Sequence, residues 1–177
     1  MSLYLPRSRA IIVHCLVRSH WVSGRLLLPT NRSLLDYLNA RGSFLKLLDV
    51  VFPTGSRRTA SFFLLRRDAI SFIVPETGED GIVQSVPEPH HSEGAVSCLF
   101  PFAEIEGRMS VREGVRVSGE ITRVRGFFPL KDAHIRLESE AATLPIPEHV
   151  PLVLLHVGTL VGVADLGSSE EDEKDAG

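Results

Sequence analysis

The sequence predicts a mainly β protein: two tandem, small, strongly bent five-stranded barrel units, with one short helical turn in the first. Three observations carry this. Short runs rich in β-branched and aromatic residues are broken at close intervals by Gly, Pro, Asn and Ser. Two apolar blocks, 10–74 and 95–166, flank a polar stretch. The second block also matches the first when the sequence is shifted by 83 residues.

In the first unit, 10–17 and 21–28 read as strands joined by a turn at 18–20. Gly24 lies inside the second strand, and a glycine there marks a sharp bend or a close backbone approach. Pro29-Thr30-Asn31 ends that strand. Within 32–39, Leu34, Leu35 and Leu38 fall at helical spacing, with Asn31 the expected N-cap. Residues 44–52 return to strand and 53–58 form a turn. The stretches 60–65 and 69–74 then make a closing hairpin through 66–68. Five short strands in so few residues fit a small barrel.

With the shift of 83, residues 13–52 lie on 96–135 without a gap. Eight positions are then identical: Val13/Val96, Cys15/Cys98, Leu16/Leu99, Gly24/Gly107, Arg25/Arg108, Phe44/Phe127, Leu47/Leu130 and Asp49/Asp132. Apolar character is kept at others, such as Val22/Ile105 and Leu26/Met109. Further on, a shift of 90 sets Leu64-Leu65 on Leu154-Leu155 and Ile70 on Leu160, so the second copy carries seven more residues near 139–151. The reading is a tandem duplication, with Gly24, Gly107, Asp49 and Asp132 as structural repeat positions. No leucine-rich turn is expected in the second unit. The division that follows is a first unit at 1–74, an acidic flexible linker at 75–94, a second unit at 95–166 and a disordered acidic tail at 167–177.

The net charge of −3 hides an asymmetry. Residues 1–74 hold eleven Arg and Lys against three acids, a net of +8. The linker contributes −5, the second unit −2 and the tail −4. Such a split suggests a polyanionic partner for the first unit, or an acidic linker and tail that screen it.

The order of strand, turn, strand with a central Gly, loop, strand ending in Asp, then closing hairpin resembles the Sm-like barrel, itself related in shape to SH3-like barrels. Gly24-Arg25-Leu26 with Leu47-Leu48-Asp49-Val50 carry the likeness, as do Gly107-Arg108-Met109 with Leu130-Lys131-Asp132-Ala133. The second Sm motif, aliphatic-Arg-Gly, is present only in part. Leu65-Arg66 is followed by Arg67 rather than Gly, and Leu155-His156-Val157 lacks both residues. Asp36 and Asn39 stand on an inserted helical turn rather than at the spacing of RNA-binding Sm proteins. The chain is also similar to a bacterial family of uncharacterised domains that share a G-R-L…D-x-L-N…F-L-x-L-x-D pattern. The resemblance implies a small β-barrel fold in tandem; its function does not follow from the fold.

Composition excludes collagen, coiled coil and wholesale disorder. No apolar run reaches the ~18–20 residues of a membrane span, so no membrane partner is expected. Arg7, Arg9 and Arg18 interrupt any signal-peptide core, which points to the cytoplasm. Cys15 and Cys98 are expected in the core; His14 and Cys15, adjacent on a strand, face opposite ways. The His90-His91 pair lacks further ligands at zinc spacing, and no phosphate loop or dinucleotide motif occurs. The expectation is therefore no enzyme, no catalytic residue, no metal and no cofactor.

Two binding functions remain. In the first, tandem barrels act as a non-enzymatic scaffold through protein–protein contacts or self-association, because small barrels leave edge strands for a neighbour to cover. Leu34, Leu35, Leu38 and Phe62 are its candidate contacts. In the alternative, the basic first unit binds nucleic acid, RNA above all. Arg25, Arg57, Arg58, Arg66 and Arg67 would meet phosphates, and Trp21, Tyr37 and Phe62 would stack on bases.

Overall fold

The computed structural model describes residues 8–52, 58–76, 90–138 and 145–167. Over these the first half runs β1 (Ser8–Val17), β2 (His20–Pro29), α1 (Leu34–Asn39), β3 (Phe44–Phe52), β4 (Arg58–Arg66) and β5 (Ile70–Pro75). The second half runs β6 (His91–Phe100), β7 (Ala103–Arg112), α2 (Val117–Ile121), β8 (Phe127–Leu137), β9 (His149–His156) and β10 (Gly162–Asp165). Single 3-10 turns, Arg67–Ala69 and Val157–Thr159, precede β5 and β10.

β1 and β2 form a hairpin over Arg18 and Ser19, with Arg18 in the left-handed region at φ 55°. Ile11, Val13 and Cys15 alternate along β1 and are buried, as the period of two requires. α1 begins where Ser33, not Asn31, caps it: the Ser33 hydroxyl accepts from the Asp36 backbone N–H at 3.0 Å. Leu34 and Leu38, one turn apart, enter the core.

The bend in β2 has a visible cause. A Cβ on Gly24 would stand 3.1 Å from the Leu48 carbonyl oxygen, so any other residue would push β3 back by a few tenths of an ångström. The pairing slips between Ser23 and Arg25, opposite Asp49, whose φ of 48° is left-handed. Asp tolerates that region better than bulkier residues. The same device recurs at Gly107, where a Cβ would meet the Lys131 carbonyl at 3.0 Å, and at Asp132, with φ 46°. The slip there falls between Glu106 and Arg108.

The strands form one antiparallel sheet in the order β10-β6-β7-β8-β9-β5-β1-β2-β3-β4. The order β5-β1-β2-β3-β4 of the first half thus recurs as β10-β6-β7-β8-β9. Registers recur too: Val13 faces Gly24 as Val96 faces Gly107, and Phe44 faces Arg66 as Phe127 faces His156. The halves join where β5 meets β9, Phe72 opposite Leu155 and Ile73 opposite Leu154.

Several expectations are corrected. Among the described residues no pairing closes either set of five strands into a separate barrel; the sheet runs on from one set into the other. The closing hairpin of 60–65 and 69–74 is not a pair, since among the described residues β4 bonds only to β3 while β5 bonds to β1 and β9. Every residue of β5 is buried, so its backbone groups need partners on both sides. The second half has a helix of its own, α2, missed because its apolar side chains are Val117 and Ile121 rather than leucines. The expected linker ends sooner than Gly94, because β6 starts at His91, opposite Arg112 of β7. Residues 77–89 of that linker, and 168–177 of the expected tail, lie outside the described residues.

The core consists of two apolar clusters that trade side chains. Leu16, Trp21, Phe72 and Val74 of the first half belong to the cluster built mainly by the second. Phe127, Leu152 and Leu154 of the second half belong to the cluster of the first. Trp21 meets Phe72 edge to face at 5.6 Å, and Phe72 meets Phe100 at 5.9 Å.

Candidate interaction site

β4 and β10 end the sheet, each paired on one side only among the described residues. A terminal strand presents a row of backbone N–H and C=O groups to whatever approaches it. On β4 this edge is also apolar. Phe44 lies opposite Arg66, Lys46 opposite Leu64 and Leu48 opposite Phe62, and directly opposed residues share a face. Phe44, Phe62 and Leu64 are 53%, 56% and 53% exposed, while Leu45, Leu47 and Leu65 between them fill the core. Lys46 Nζ stands 5.7 Å from the Phe62 ring centre. The result is an apolar strip with Lys46 and Arg66 at its margin.

At the other end of the sheet, a groove of about 600 Å³ runs between α2 and β10. Val117, Ile121, Val124, Val157, Leu160 and Val163 give it an apolar lining.

Of the expected contact residues, Phe62 is at the surface, Leu35 is partly buried against the core, and Leu34 and Leu38 are inside it. Those two are unavailable to an outside partner. Leu64, in the Phe62-Phe63-Leu64-Leu65 strand expected to carry contacts, is at the surface as well; Phe44 was not among the expected contacts. The signal for Phe44 was an apolar residue at outward as well as inward positions of 44–52 and 58–66, more than one core-facing side can bury.

The expected arginine cluster is dispersed. Arg25 pairs with Asp49, as Arg108 does with Asp132. Arg66 Nε donates to Asp68 at 3.0 Å, and that guanidinium holds the Asp68 carboxyl below the usual carboxylate range. Arg67 donates to the carbonyls of Leu38 at 3.0 Å and Ala40 at 2.6 Å, closing the C-terminal end of α1, and lies over Tyr37. Arg58 and Arg66 stand at opposite ends of β4, about 27 Å apart at the rise of an extended strand. Arg57 lies outside the described residues. Of the stacking candidates, Trp21 is buried between the halves.

Cys15 and Cys98 are buried, and burial pushes both thiols up to about 12, so they are protonated at neutral pH. Among the described residues no group of three or more His, Cys, Asp or Glu side chains is placed to hold a metal ion. No helix there is long and apolar enough to cross a membrane.

At the junction of the halves, Asn39 Nδ2 donates to the Phe127 carbonyl at 2.9 Å, and Asn39 Oδ1 accepts from the Phe127 N–H at 2.7 Å. His156 packs against the Phe127 ring at 4.8 Å; burial draws its pKa below the ordinary 6.5, with Asp68 opposing. Comparison with protein-family models, with curated proteins and with solved structures gives no match.

Proposed function

We propose that this chain is a non-enzymatic binding module, built from two related Sm-like units, that acts through protein–protein contacts at its open strand edges. The observation that carries it is β4, a terminal strand with Phe44, Phe62 and Leu64 bare on one face. An exposed, apolar edge invites aggregation unless a partner covers it. Strand addition is the contact such an edge makes, with the backbone giving affinity and the side chains giving choice. The kinship of the two units is supported by shared strand order and by matching pairs, slips and left-handed Asp residues at a constant offset.

RNA binding by the first unit draws on the +8 charge of residues 1–74. Three of the five arginines expected to meet phosphates, Arg25, Arg66 and Arg67, already hold partners inside the chain, which favours the protein-binding reading. A fluorescence-anisotropy titration with a mixed RNA and DNA pool, at about 0.05 M and about 0.5 M salt, separates the two. The expected result is no salt-steep binding, beside an associated protein or further copy that salt leaves in place and Phe62→Lys displaces. Binding that falls by about 10³ or more between the two salts, and is lost when Arg25, Arg58, Arg66 and Arg67 become Ala, overturns the proposal.

A further inference from the structure

Away from the apolar strip, the outer face of the second half carries a pair of imidazoles. His134 of β8 lies directly opposite His149, the first residue of β9. Beside them the Ile135 N–H donates to the Glu148 carbonyl at 2.8 Å. Residues 135 and 148 are thus a hydrogen-bonded pair, and 134 and 149 take the closer, unbonded position. Their rings stack there, 4.2 Å between centres and 7° from parallel. In the sequence the two stand fifteen residues apart, and only the pairing of β8 with β9 brings them together. The fold does not call for imidazole at this place. At the offsets of 83 and 90, the first half has Val51 and Thr59 there, opposed in the same way. Carboxylates flank the rings. Glu106 of β7 lies opposite His134 on its other side, where the first half has Ser23. Glu148 Oε2 stands 3.8 Å from His134 Nε2. Arg136, on the same face, is held by Glu104 at 3.2 Å and Glu106 at 3.0 Å.

We propose that His134 and His149 form a binding site for a divalent metal ion of the zinc, nickel and copper class, chelated across β8 and β9. Imidazole suits these ions, whereas Mg²⁺ and Ca²⁺ prefer oxygen. Each ring offers a lone-pair nitrogen. On a tetrahedral ion with Zn–N bonds of about 2.0–2.1 Å, two ligand nitrogens stand about 3.4 Å apart. Nearly parallel rings at 4.2 Å reach that spacing when their edges tilt together by less than about 1 Å. His149 is exposed at the start of its strand, so its ring turns without disturbing the core. A shift of less than about 1 Å lets Glu148 accept the N–H of a ligating His134, the outer partner that fixes metal-bound histidines. Together with Glu106 it offsets the charge of the ion. Among the described residues no third His, Cys, Asp or Glu joins the two rings, so water or a donor from a bound partner fills the remaining positions.

Calorimetric titration of ZnCl₂ into the full chain tests it, beside NMR spectra of the histidine rings. One ion per chain is expected, moving the ring signals of His134 and His149 and leaving those of His14 and His156 in place. His134→Gln and His149→Gln should each weaken binding by at least about 10-fold. His134→Val with His149→Thr copies the pair of the first half, and should abolish binding with an unchanged circular dichroism spectrum. Zn²⁺ should raise the thermal midpoint of the wild type and leave that of this double variant unmoved. His90→Gln with His91→Gln, which removes the histidines that are neighbours in the sequence, should leave the affinity as it is. MgCl₂ should give no saturable heat. An isotherm without saturation up to about 1 mM Zn²⁺ overturns the inference. So does binding that survives His134→Val with His149→Thr, or that disappears with His90→Gln and His91→Gln. The protein-binding reading is independent of this site and fails on a different result, the salt-steep nucleic-acid binding described above.

Discussion

Gly24 and Gly107 hold the bends of their strands because a carbonyl oxygen occupies the space a Cβ would need. Backbone cannot move aside as a flexible side chain can, so Gly107→Ala should destabilise the fold by about 1–3 kcal/mol, the usual range for overpacking. A urea titration reads this, and a midpoint unchanged from wild type would show that β8 yields freely. Both glycines stand out in the sequence, since a glycine in a β-branched strand calls for such an approach. Asp49 and Asp132 were visible as repeat positions; their left-handed backbone and ion pairs with Arg25 and Arg108 were not. A slip in register is a property of two strands, and one strand's residues do not reveal it. Arg67 shows the same gap in the other direction. As one of an Arg pair it suggested a phosphate contact, yet it closes the end of α1 through two carbonyls.

Among the elements, α1 has a role beyond its own half. Asn39, its last residue, makes two hydrogen bonds to the backbone of Phe127, at the start of β8. Asn39→Ala leaves both backbone groups unpaired in a part-buried place, and should cost about 1–3 kcal/mol. Thermal unfolding measures it; a loss well under that range would mean that water replaces the amide. Most strands were legible, because the period of two and the turn residues mark them plainly. β4 and β5 were legible as strands but not as non-partners. Adjacency in sequence favours a hairpin, and only the burial of all of β5 between β1 and β9 decided against one.

For the molecule as a whole, the exchange of side chains between clusters makes each half part of the other's core. Trp21, Phe72 and Val74 are lost to the second half's cluster if the first half unfolds, and Phe127, Leu152 and Leu154 are lost to the first in the reverse case. A single calorimetric transition is expected, with calorimetric and van't Hoff enthalpies equal; two resolved transitions would show independent halves. Acid should lower its midpoint. Burial draws the pKa values of His14 and His156 below 6.5, so the unfolded chain takes up their protons first. Their contribution is complete above pH 6.5 and is lost as the pH falls from there toward the folded values. His156→Gln should flatten part of the loss as the pH falls below 6.5. The sequence by itself determined the β character, the two apolar blocks, their offset and the glycine bends, since each rests on local spacing or on comparison of the chain with itself. Tertiary structure alone decided that the two sets of strands share one sheet, which strands end it, and that Phe44, Phe62 and Leu64 lie bare while their counterparts are buried. Whether an apolar side chain is core or surface depends on what stands across from it, and that is a property of distant segments brought together.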